Sequence, residues 1–354
     1  MKTPYLLGTL ALLAFGGAQA FASSQTINND TWWKDQNGNP IYAQGGGVNY
    51  FNGTYYMYGV QYAGAQTYYN GGGSNSNTAF VAINCYTSTD LAHWTFQKSV
   101  VTTGTSGFSG TSWVGRLGSV CYNSASGKYV LWVGYAGPNG TGVACLTSSS
   151  LTGSFALNNV QTSITNVYYN VPGDMTVFCD RNHGSTPYLV FSDPHGREHA
   201  YVSTFNSTQT AINAAVLISE WPQGQEGDCM YEFGGNYHLC MSQLAGWSYS
   251  HAYVVYGNAI QTPSSYTKDA DFYGTDATNT YWSQISYFID VHGSSVENIV
   301  EVGDRWADFS STYKSAGHGN NFLTMNPITY ANVNPVFNGE ASWSIDAATG
   351  NWSL

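Results

Sequence analysis

Tyr50–Gly59 reads YFNGTYYMYG: aromatic residues lead into Asn52-Gly53, and a run of bulky, alternating residues follows. Asn-Gly tolerates the positive φ angles of a two-residue reversal, so the stretch predicts a β-hairpin. Variants of the phrase recur at Tyr122–Gly134 (YNSASGKYVLWVG), Phe178–Ser192 (FCDRNHGSTPYLVFS), Met230–Ser242 (MYEFGGNYHLCMS) and Tyr287–Trp306 (YFIDVHGSSVENIVEVGDRW). Their reversals fall at Ser126-Gly127, His183-Gly184, Gly234-Gly235 and His292-Gly293. The hairpins start roughly 50 to 70 residues apart, the length of one four-stranded sheet with its connections, which predicts an all-β chain folded as a five-bladed β-propeller. In such a ring the first strand of each blade begins at the central funnel, so chemistry is expected at the blade openings.

Outside the repeat, Met1-Lys2, an apolar run from Tyr5 to Phe15 and the small-residue exit Gly16–Ala20 have the pattern of a secretory signal peptide. The expected division is a signal peptide over 1–20 and one propeller domain over 21–354. The apolar run is short for a bilayer span. Charged residues make up 9% of the chain and the net charge is −11, which leaves no electrostatic footprint for nucleic acid. The 11 Trp and 28 Tyr supply blade packing and, where exposed, rings suited to sugar faces. A secreted monomer with a carbohydrate substrate, no membrane partner, no cofactor and no metal is the resulting expectation.

Six cysteines without CxxC spacing favour disulfides over a metal cluster. Cys229 and Cys240 flank a reversal and are the expected pair; the others allow several pairings. Sequons at Asn29, Asn52, Asn139, Asn206 and Asn351 make the chain a candidate glycoprotein. Residues 61–79 read as a rim loop, Gly45–Gly47 as either a bulge or a close backbone approach, and Trp343–Trp352 as a strand that pairs with N-terminal residues. No helix of useful length is expected.

The blade openings carry Asp174 in an otherwise apolar segment, PGDMTVF, and Glu226 in QEGDCMY, set among Gly227 and Cys229 rather than on a charged face. Glycosidic cleavage uses an acid to protonate the leaving oxygen and a second group to direct water or act as nucleophile. Glu226 suits the acid, and Asp174 suits a neighbour that raises its pKa by like-charge repulsion. Asp228 rivals Glu226, since residues two apart on a regular strand share a face. For each carboxylate a solvated or purely structural role stays open.

The phrases PIYAQGGG, GTYYMYG, CYTSTDLAHWTF, RLGSVCYNSASGKYVLW, PGDMTVFCD, EGDCMYEF, GGNYHLCMSQLAGW, SQISYFI and GDRW, in this order, resemble glycoside hydrolase family 43, above all its exo-β-1,3-galactanases. The resemblance implies a five-bladed propeller that hydrolyses with inversion. It implies Glu226 as acid, Asp174 as the residue that tunes it, and Gln284 as the residue that positions water, with an amide satisfied at the funnel wall as the plainer reading of Gln284. It further implies Arg116, Gln44, Trp247 and Arg305 as sugar contacts. Two departures stand out. Galactanase relatives read Glu-Arg-Pro-Lys where this chain reads Gly115-Arg116-Leu117-Gly118, and Gln44 replaces a histidine. A galactan 1,3-beta-galactosidase-like hydrolase therefore stands beside a non-catalytic sugar-binding propeller, with a protein-interaction scaffold third. In the enzyme, Glu226 and Gln284 are expected to face each other with room for water between them.

Overall fold

The computed structural model describes residues 23–354 except 111, 182, 268–271, 275–277, 295–296, 307–320 and 332–333. The expected signal peptide lies outside the described residues. The chain begins with β1 (Gln25–Asn28) and then builds a four-stranded sheet from β2 (Gln44–Phe51), β3 (Thr54–Tyr62), β4 (Phe80–Ser88) and β5 (Thr95–Thr102). The second sheet has β6 (Trp113–Val114), β7 (Cys121–Asn123), β8 (Lys128–Gly137), β9 (Gly140–Ser148) and β10 (Ala156–Gln161). The third has β11 (Met175–Asp180), β12 (Thr186–Ser192), β13 (His199–Phe205) and β14 (Ile212–Glu220). The fourth has β15 (Gln225–Phe233), β16 (Asn236–Gln243) and β17 (Ala252–Gly257), and the fifth β18 (Gln284–His292), β19 (Glu297–Asp304), β20 (Leu323–Ala331) and β21 (Asn334–Phe337). Last come β22 (Ser342–Ile345) and β23 (Trp352–Ser353).

The architecture is an all-β propeller, but among the described residues it has six sheets, not the five that the hairpin phrase predicts. The sixth is β1–β22–β23, in which Gln25 opposes Ile345 and Asn28 opposes Ser342. It was invisible to the repeat because its strands come from opposite ends of the chain and carry no copy of the phrase. The pairing of the C-terminal segment with N-terminal residues is found, as a separate sheet.

All five expected hairpins form. Asn52 (φ 48°) with Gly53 (φ 87°), and Gly234 (φ 59°) with Gly235 (φ 79°), adopt the paired positive angles that match a tight reversal to strand twist. Inner strands pack around the axis, β11 on β15, β15 on β18 and β18 on β2. The second sheet contributes an irregular inner segment: Leu117 N donates to the Gly45 carbonyl at 2.9 Å, and Ser119 N to that of Val177 at 2.9 Å. This threading explains the glycine run. A Cβ on Gly47 would lie 2.8 Å from the Gly118 carbonyl, and β2 slips register between Gln44 and Gly47, so bulge and close approach occur together.

Apolar residues from neighbouring sheets fill the space between them. Trp94, Trp343, Ile27 and Met325 pack where the terminal sheet meets the first and fifth, and Trp132, Phe191 and Leu189 where the second meets the third. Burying each such side chain contributes about 1.5–3 kcal/mol. Within the expected rim loop the chain instead forms a short helix, α1 (Ala63–Tyr69), anchored by Tyr69 against Trp32 at 5.0 Å.

The cysteine expectation fails in its detail. Cys121 and Cys179 form a disulfide between the second and third sheets, with Cα atoms 6.4 Å apart, while Cys229 and Cys240 are free and buried, as are Cys85 and Cys145. Cys229 and Cys240 are direct cross-strand partners. The Cys240 thiol instead donates to the His238 carbonyl at 3.7 Å. Asn29 is likewise no glycan acceptor in this fold: it is fully buried, its amide donating to the carbonyls of Met325 and Glu340 at 2.8 Å.

Candidate active site

At the end of the propeller where β2, β11, β15 and β18 begin lies an open pocket of about 150 Å³. Asp174, Glu226, Arg116 and Arg197 line it together with Tyr62, Trp113, Trp247 and Trp306. Asp174 directly precedes β11 and Glu226 is the second residue of β15. Gly227 (φ 67°) then breaks the ladder: register shifts between Glu226 and Cys229, and a Cβ on Gly227 would lie 2.8 Å from the Ile285 carbonyl. The bulge removes the regular alternation that would have put Asp228 beside Glu226. Asp228 is fully buried and absent from the pocket wall, so it is not the rival acid that a regular strand would make it.

A charged lattice holds the carboxylates. Asp174 Oδ2 accepts from Arg116 Nε at 3.1 Å and from Gly227 N at 2.9 Å, while its Oδ1 lies 3.1 Å from Arg197 Nη1. That nitrogen is also 3.4 Å from Glu226 Oε2. Burial alone would raise the Asp174 carboxyl, but the Arg116 and Arg197 guanidinium groups and the Gly227 N–H hold it below the usual carboxylate range. For Glu226, burial and then the Asp174 charge push the carboxyl up, against the pull of Arg197. Neighbouring carboxyls driven in opposite directions are the usual signature of divided acid and anion roles.

Gln284 touches Glu226 directly. Its Nε2 donates to Glu226 Oε1 at 2.8 Å and to Ser242 Oγ at 3.1 Å; its Oε1 accepts from Arg116 Nη2 at 2.6 Å and from Trp306 Nε1 at 2.9 Å. A primary amide has two donors and two acceptor positions, and all four are engaged. The expected gap for water between Glu226 and Gln284 is therefore absent from this arrangement, and the geometry matches the satisfied amide.

Of the expected sugar contacts, Arg116 and Trp247 line the pocket and Gln44 and Arg305 do not. Arg116 spends its guanidinium on Asp174, Asp304 and Gln284, which makes it the organiser of the site. Trp247 stands edge-on to Trp306 at 4.9 Å. Gln44 is buried, donating to the Arg305 carbonyl at 3.0 Å. Arg305 is buried too, its guanidinium donating to the carbonyls of Asn29 and Tyr281 and to Asp30, where it clamps the N-terminal segment. Both lie behind the wall, each held by backbone carbonyls there.

Sequence reading missed Arg197, Trp113, Trp306, Tyr62 and Asp304. Arg197 had a signal: a chain with ten lysines and arginines places one in the loop after β12, and β12 runs antiparallel to β11, so that loop returns to Asp174. Asp304 joins Arg116 Nη1 at 3.1 Å and accepts from Gly45 N at 2.8 Å, tying the fifth sheet to the first. Among the described residues no group of three or more His, Cys, Asp and Glu is placed to hold a metal ion.

No protein-family model and no curated protein sequence matches the chain. Solved structures do. An exo-β-1,3-galactanase from Clostridium thermocellum superposes with a TM-score of 0.76 at 23% identity, covering 93% of this chain and 68% of that one. An exo-β-1,3-galactanase from Phanerochaete chrysosporium, solved with galactose, gives 0.75 at 21% identity over 93% of this chain and 70% of that one. A GH43 β-1,3-galactosidase with galactodeoxynojirimycin gives 0.72 at 18% identity, covering 93% of this chain and all of that one (100%). The chain thus has the propeller fold found in glycoside hydrolase family 43 exo-β-1,3-galactanases and β-1,3-galactosidases.

Proposed function

We propose that the protein is a glycoside hydrolase acting on a β-1,3-linked galactan or a related oligosaccharide, with Glu226 as the general acid. The observation that carries this reading is the pair of pocket carboxyls, Glu226 raised and Asp174 lowered, sharing Arg197 beneath a wall of aromatic rings. Protonated Glu226 donates to the leaving oxygen as the glycosidic bond breaks. Asp174 stays ionised, and its charge keeps the Glu226 proton in place until a substrate oxygen takes it. Gln284 acts as a positioning residue: by donating to Oε1 it leaves Oε2 to carry the proton. The likeness to structures solved with galactose and galactodeoxynojirimycin supports a galactose-type substrate.

We place the protein outside the cell, as a signal peptide over 1–20 would direct, and the Cys121–Cys179 disulfide supports an oxidising compartment. Inversion belongs to the same proposal: a solvent water attacks the anomeric carbon from the face opposite the leaving oxygen as that bond breaks, and the proton it sheds passes to solvent. The test is a glycan-hydrolysis screen on the mature chain, following the anomeric form of the first product by NMR. Release of galactose from β-1,3-galactan supports the reading. Binding of the same glycans with no turnover would leave the non-catalytic sugar-binding propeller in its place.

A further inference from the structure

Gly115 and Trp113 form one unit in the pocket wall. They lie two apart on an extended segment, so their side-chain positions share a face. A Cβ built on Gly115 would meet Trp113 Cη2 at 2.4 Å and Cζ2 and Cζ3 at 3.0 Å, distances that no side chain can occupy while the indole stays. The floor extends to Gly134, whose own Cβ would lie 3.7 Å from both the Gly115 Cα and Trp113 Cζ3. Gly115 N bonds the Gly134 carbonyl at 2.9 Å, which locks the two glycines side by side. The indole rests across a surface made bare by two missing side chains.

The ring is not sealed there. Trp113 keeps 37% of its surface exposed, a large value for the largest apolar side chain, and the exposed part borders the pocket that holds Glu226. Gly115 offers no side chain here, and the adjacent Arg116 guanidinium is committed to Asp174, Asp304 and Gln284. A ligand approaching this wall meets the open surface of the indole.

Resting on the hydrolase reading above, we propose that Trp113, made possible by Gly115, is the stacking platform that selects the sugar: a neutral galactose-type pyranose. Such a ring presents the hydrogens of C3, C4 and C5 on one side as a continuous apolar patch, because its O4 is axial and points away. In the glucose epimer the equatorial O4 breaks that patch. Aromatic rings attract the polarised C–H face through their negative π surface, and the contact excludes water from apolar area on both partners.

The test uses the full-length chain carrying Glu226→Gln, titrated with β-1,3-galactobiose and with its glucose counterpart, β-1,3-glucobiose. The expectation is that adding Trp113→Ala weakens galactobiose binding by about tenfold or more, equivalent to about 1.4 kcal/mol, and removes the preference over glucobiose at an unchanged unfolding temperature. Trp113→Phe should retain most of the affinity and Trp113→Leu should lose it, since leucine keeps apolar bulk without a flat face; this pair decides the matter if the alanine variant folds poorly. Affinity and preference unchanged within twofold in Trp113→Ala, or equal losses in Phe and Leu, would overturn the proposal. A parent protein that binds neither disaccharide, with a wild type that cleaves no β-galactoside, would instead bring down the hydrolase reading and this inference with it.

Discussion

Gln284 Nε2 donates to Glu226 Oε1 at 2.8 Å, and the same amide accepts from Arg116 and from Trp306, so one neutral side chain joins the fourth sheet's carboxyl to the second sheet's arginine. Removing it leaves the Arg116 and Trp306 donors unpaired and frees the Glu226 rotamer. Gln284→Ala is expected to lower kcat about 10²-fold, the usual effect of a reacting group misplaced by about 1 Å, with sugar binding largely kept. Loss of a donor to the ionised carboxylate also favours its protonated form, so the alkaline limb of the kcat profile should move to higher pH. A limb that stays in place would show that Gln284 does not act through Glu226.

The pH dependence follows from the two carboxyls. Glu226 must be protonated to act and is held up by burial and the Asp174 charge, so activity is lost as pH rises through a value above the ordinary glutamate range. Asp174 must be ionised and is held down by Arg116 and Arg197, so the acid limb lies below the ordinary aspartate range. Asp174→Asn removes the anion that raises Glu226, and kcat/KM against pH should show a lower maximum with the alkaline limb moved to lower pH.

Asp228 gives a stability prediction. Burial and the Asp174 charge push its carboxyl up to about 7. A carboxyl raised in the folded state binds its proton more tightly there than in the unfolded chain. Its contribution is therefore fully present below the unfolded pKa of about 3.9 and is lost as pH rises toward 7. Asp228→Asn should flatten that decline, so that thermal unfolding followed from pH 4 to pH 8 falls less steeply than in wild type. An unchanged slope would mean that Asp228 titrates normally.

The hairpins, the blade openings and the two carboxyls were legible in the sequence because each depends on local chemistry: a reversal needs residues that accept positive φ, and an acid stands out in a segment that is mostly apolar or glycine-rich. The sixth sheet was hidden because Ile27 and Trp343 meet from opposite ends of the chain. Asp228 misled because strand alternation fails at the Gly227 bulge. The four bonds of Gln284 reach partners on several sheets, and no single segment reveals such an arrangement. Trp113 gave no signal in the sequence, because its neighbour's missing side chain matters only once the ring lies over it.

Peptide mapping of the non-reduced protein should recover the Cys121–Cys179 link and free thiols at Cys229 and Cys240. Cys121→Ser should cost about 2–5 kcal/mol of stability, while the double change Cys229→Ser and Cys240→Ser should remove no crosslink. A Cys229–Cys240 bridge in the map would contradict the free thiols of this fold.

The central claim is that Glu226 delivers the proton. Glu226→Gln keeps the shape and the Gln284 and Arg197 neighbours but removes the transferable proton, so the decisive measurement is kcat for this variant on β-1,3-galactobiose and on an aryl galactoside whose leaving group needs little protonation. The account predicts a fall of about 10²–10⁴-fold on the disaccharide, a much smaller fall on the aryl substrate, and retained disaccharide binding. Disaccharide turnover near the wild-type rate, or equal losses on both substrates, would contradict it.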